Sequence, residues 1–160
     1  MRRIQSALLS AALLMGLSSP LAWAQTYTSS GGLPGQFQQL SPRTPVIDIA
    51  ARGTFNFDPN NMANSTFDFV LAGTGDDRGL GDFVRVTSQG YVGNQNGQLV
   101  FRVQFDGVNG GRANIPSTQA RLVLVQPQSI APGTSPRQMQ LRFAANTSAI
   151  QFDLPIQLSR

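Results

Sequence analysis

The carboxylates are the side chains of this sequence best suited to chemistry. All eight acidic residues are aspartates, and Asp76, Asp77 and Asp82 fall with four glycines inside the eleven residues GTGDDRGLGDF, 73–83. Hard oxygen ligands on a glycine-rich turn suit a calcium ion, because glycine lets backbone carbonyls turn towards the metal. The spacing follows neither the EF-hand loop nor the Gly-Gly-x-Gly-x-Asp repeat, and nothing in the chain repeats it. A phosphate cradle would need a lysine and a following helix, and two adjacent aspartates would repel the anion. The other reading is a solvated, flexible connection between strands at 67–72 and 82–88, in which Arg78 offsets the acidic pair.

The missing residue types narrow the chemistry further. The chain has no Cys and no His, and its twelve basic residues are all Arg. That excludes a thiol nucleophile, a disulfide, a thiolate or imidazole zinc site and a Ser-His-Asp triad. Without lysine there is no Schiff base. A hydrolase would have to use paired carboxylates, two of Asp48, Asp58, Asp68, Asp106 and Asp153 converging at roughly 5 to 10 Å. A noncatalytic protein is the expectation. The formal charge of +4 comes from dispersed arginines rather than a basic run, so no nucleic-acid partner is expected.

Arg2 and Arg3, an apolar run from Ile4 to Leu17 and Ala22-Trp23-Ala24 read as a secretory signal peptide over residues 1–24. The run is too short for a bilayer span of about 20 residues, and no transmembrane segment is expected in the mature chain. Export places the protein in the periplasm or outside a bacterial cell. Residues 25–43 are rich in Gln, Ser, Gly and Pro and read as a flexible leader. Residues 44–160 are the right length for one domain.

Within 44–160 the pattern has period two. STFDFVLAG sets Phe67, Phe69 and Leu71 on one face, and GQLVFRVQFDG sets Leu99, Phe101, Val103 and Phe105 inward with Val100, Arg102 and Gln104 outward. At the C-terminus Ile150, Phe152, Leu154, Ile156 and Leu158 alternate strictly, with Pro155 at an outward position that suggests an edge strand or a bulge. Gly53 suggests a bulge or bend in PVIDIAARGTFNFD. Turn signals separate the runs at Asn96-Gly97, Asp106-Gly107, Asn109-Gly110-Gly111, Pro132-Gly133 and AANTS. The expectation is all-β: one antiparallel β-sandwich or small β-barrel of about eight strands.

The stretch FVLAGTGDDRGLGDFVRVTSQGYV resembles small secreted bacterial β-barrel domains of the calycin or allene-oxide-cyclase shape, in which a strand ends in Gly-x-Gly before a His-Leu-Gly turn. This chain carries Gly79-Leu80-Gly81 at that turn. The resemblance implies a barrel, and no functional residue is carried over from it. The sequons at Asn64 and Asn146 read as coincidental in a bacterial chain. The phenylalanines read as core, although a Phe-lined cavity would make the protein a ligand carrier or carbohydrate-binding module. A Gln-rich face without lysine guards few edges, which favours an exported structural or interaction domain. It would self-associate or engage envelope or matrix proteins, for example by adding a strand to a partner.

Overall fold

A computed structural model describes residues 24–108, 118–126 and 134–160. The expected signal peptide therefore lies outside the described residues except for Ala24, as do the turns expected at Asn109-Gly110-Gly111 and Pro132-Gly133. The strands are β1 Gln25–Ser29, β2 Gly35–Gln39, β3 Ile47–Phe57, β4 Thr66–Gly73, β5 Asp82–Gln95, β6 Gln98–Gly107, β7 Thr118–Gln126, β8 Gln138–Asn146 and β9 Ile150–Ser159. They form a closed antiparallel barrel of eight strands plus one extra strand. Of the two architectures compatible with the alternation, the chain adopts the barrel.

The extra strand arises because the first stave is broken in two. β1 pairs with the far half of β3, Ser29 opposite Gly53, and β2 with its near half, Gly35 opposite Ile49. Both segments also pair with β9, at Thr28–Ser159 and at Gln36–Asp153. Residues 25–43 are thus not a flexible leader: they supply the stave that closes the wall. The reason is packing, since Tyr27 and Phe37 point inward and are buried, and the Tyr27 hydroxyl donates to the Pro136 carbonyl at 2.6 Å.

The core sits inside the barrel, because period two turns every second side chain of every stave inward. Phe67 meets Phe101 and Phe143, each with ring centroids 5.3 Å apart, and Phe143 meets Phe152 at 4.8 Å. All five alternating residues from Ile150 to Leu158 are buried, and so is the whole inward set of β6. Val100, expected to face outward, is buried as well, but it lies outside the core cluster.

Glycine bends the wall where two backbones must approach. Gly53 has φ +144°, and a Cβ there would sit 2.0 Å from the Asp68 carbonyl oxygen. It marks the point where β3 ends its pairing with β1, which makes the expected bend real. In β5 the register shifts at Ser88/Gly90 and again at Tyr91/Gly93, two bulges that curl a long strand around the barrel. β9 is not an edge, since β8 flanks it on one side and β1 and β2 on the other. Pro155 pairs with Arg142 of β8 on one side, and on the other it lies between the two pairing zones, opposite the break in the first stave.

Candidate functional site

GTGDDRGLGDF forms the end of β4, a 3-10 turn over Gly75–Leu80 and the start of β5. It is pinned rather than loose. Gly73 N donates to the Gly81 carbonyl at 2.9 Å, Thr74 N to the Asp48 carbonyl at 2.8 Å, and Asp77 N to the Thr74 carbonyl at 2.9 Å. Gly73 is required here, because a Cβ would meet the Asp77 carbonyl oxygen at 2.0 Å.

The three aspartates do not converge on a cation. Asp77 turns back to accept a hydrogen bond from Asp48 N at 2.8 Å, and Asp82 forms an ion pair with Arg52. Asp76 remains exposed, and among the described residues no group of three acidic side chains could hold a metal. The physical reason is local: once the turn is wound, its carboxylates are used on β3 and spread apart. The candidate calcium site at Asp76, Asp77 and Asp82 is therefore not assembled among the described residues.

Four of the five aspartates considered for hydrolysis are also engaged. Asp68 pairs with Arg85, whose Nε donates to Asp68 Oδ1 at 2.8 Å, and this hydrogen bond holds the carboxyl below its usual range. Asp153 takes the same fork from Arg142, Nε to Oδ1 at 2.7 Å, and the contact raises the guanidinium pKa. Asp58 accepts from Asn64 Nδ2 and from the backbone N–H groups of Asn61 and Asn60, which lower its pKa and close its own loop. Asp106 accepts from Gln104 at 2.9 Å.

The concave feature is on the outer wall. Cross-strand partners line up around the barrel in one row: Gly93, Val100, Arg121, Ala144, Asp153, Gln36 and Asp48. Three of the seven are small or aliphatic, and their neighbours along the strands are long, including Gln95, Arg142 and Gln151. Short side chains between long ones leave a groove of about 540 Å³, with Val100 and Ala144 at its base and Gln95, Arg121, Asn146 and Gln151 around it. A second depression of about 250 Å³ shares Gln151 and Asp153 and continues to Gln36 and Val46. The larger volume lies within the range of small-ligand sites.

Arg121 is the distinctive group in this groove. The described residues hold three ion pairs, Arg52–Asp82, Arg85–Asp68 and Arg142–Asp153, and Arg121 is in none of them. It stands exposed on β7 between the buried Val100 and the half-buried Ala144. Sequence reasoning missed the groove because its members lie on seven segments of chain. The signal was present in two of the strands as a small residue at an outward position, Gly93 on β5 and Ala144 on β8.

The site and fold together define a closed antiparallel barrel with a filled interior and a grooved exterior. No protein-family model matches the chain, and no curated protein matches it.

Proposed function

We propose that the chain is an exported, noncatalytic interaction or structural domain of the bacterial envelope or extracellular matrix, acting through the outer wall of its barrel. One observation carries this reading: the interior is filled by the protein's own rings, so what it presents to a partner is the exterior, with the groove at Arg121 as its most shaped region. The absence of His, Cys, Lys and Glu and the commitment of Asp58, Asp68 and Asp153 to local partners support a noncatalytic role. Kinship with the small secreted calycin-like barrels belongs to the same proposal. Closure of the wall removes long free edges, so the partner is engaged by side chains rather than by an added strand.

The groove's volume favours one alternative, a module that binds a small ligand or saccharide on its outer face, where carboxamides could meet hydroxyl groups. Site-specific photo-crosslinking in a diderm bacterial host tests the main reading. A crosslinker at Gln95, beside the groove, is expected to give higher-mass adducts, whereas one at Gln104, on β6 away from it, gives few. Absence of any macromolecular adduct from groove positions would remove the interaction reading.

A further inference from the structure

The turn at 75–80 and the groove at Arg121 are complementary, and resting on the interaction reading above, we infer that they dock between copies of this chain, head to tail. Leu80 is one of three large hydrophobic residues left exposed among the described residues, at 50%. Asp76 is exposed and takes part in none of the three ion pairs. The projecting turn thus offers an apolar side chain and a carboxylate, with the exposed Arg78 between them, and the groove offers the half-buried Ala144 and a guanidinium outside those three pairs.

The spacing fits. Four residues of 3-10 helix separate Asp76 from Leu80 by about 8 Å. Arg121 stands one strand spacing, about 4.8 Å, from Val100 on one side and Ala144 on the other, and its side chain adds several ångströms of reach. Leu80 seated over Ala144 brings Asp76 within reach of the Arg121 guanidinium. The turn is already held by its hydrogen bonds to β3 and within itself, so docking costs little ordering entropy.

Placement makes the contact intermolecular. The turn follows β4, and β7 and β8 stand three and four staves from it in a barrel of eight. The turn cannot reach its own molecule's groove, so each copy donates a turn to one neighbour and receives a turn from another. Such a heterologous contact extends into chains unless its rotation happens to close a ring. One turn in one groove is a small contact, so the association is weak and its partners exchange.

Sedimentation velocity on the chain from Gln25 onward, which carries all nine strands, tests this up to ~1 mM at low and high salt. The expected result is concentration-dependent growth in mass that falls with salt. Arg121→Asp alone and Asp76→Arg alone should each weaken association at least tenfold. An equimolar mixture of the two single variants should restore it, because each turn then meets a groove of opposite sign. That restoration also shows that both variants fold. A monomer at every concentration, association indifferent to both substitutions, or a mixture that stays monomeric would each overturn the inference. Groove crosslinks to a different protein, with a strictly monomeric chain in solution, would overturn it while leaving the interaction reading standing.

Discussion

Truncating Phe143 tests whether the barrel is solid, on which the case for an exterior function depends. Phe143 is fully buried on β8 and touches Phe67 at 5.3 Å, Phe69 at 5.8 Å and Phe152 at 4.8 Å between ring centroids. In a packed interior Phe143→Ala removes the ring's burial and leaves a cavity its neighbours cannot fill, a loss of about 3–5 kcal/mol. For a chain of this size that is a fall of roughly 9–15 °C in Tm, at about 3 °C per kcal/mol. Phe143→Leu keeps most of the volume and loses mainly the ring contacts, about 1–1.5 kcal/mol. Urea titration followed by far-UV circular dichroism measures both, since the one tryptophan, Trp23, precedes the barrel. If the interior were a ligand chamber, the ring would line open space and its removal would cost only about 1 kcal/mol. A loss that small in the alanine variant would refute the filled-core reasoning and return the carrier function to the lumen.

Three further outcomes are expected. Gly53→Ala should destabilise the barrel by more than ~2 kcal/mol, because its Cβ would collide with the Asp68 carbonyl at a φ of +144°; Gly79→Ala, with open space around it, should stay within ~0.5 kcal/mol in the same urea titration. Arg85 lowers the Asp68 pKa in the folded state, so that carboxylate contributes stability above its unfolded pKa and loses the contribution as pH falls through the folded one. Asp68→Asn should therefore flatten the acid limb of a stability-against-pH profile and leave its alkaline limb unchanged. Millimolar calcium should leave Tm where it is; a rise that disappears in the Asp76→Ala, Asp77→Ala double variant would restore the cation site at that turn.

Period-two alternation was enough to read the inward faces of β4, β6 and β9, because each strand buries one side and the barrel imposes the same rule on all of them. It was not enough for β1 and β2. Each is five residues long with one buried aromatic, Tyr27 or Phe37, set among Thr, Ser and Gln, and five such residues carry too little apolar signal to stand out from a linker. Pro155 misled for a related reason. A proline in an alternating strand is read against the strand alone, whereas what faces this one is the break in the first stave, 116 residues or more earlier in the chain. The same limit hid the groove and decided how the turn should be read. Glycines and aspartates at 73–83 carry one chemical message in isolation, a cation loop. Once Asp77 is drawn to the backbone of Asp48 and Asp82 to Arg52, the side chains of the turn left exposed are those of Asp76, Arg78 and Leu80. What remains is no longer a ligand set but a small amphipathic projection, and its complement could be found only by following the row of cross-strand partners around to Arg121.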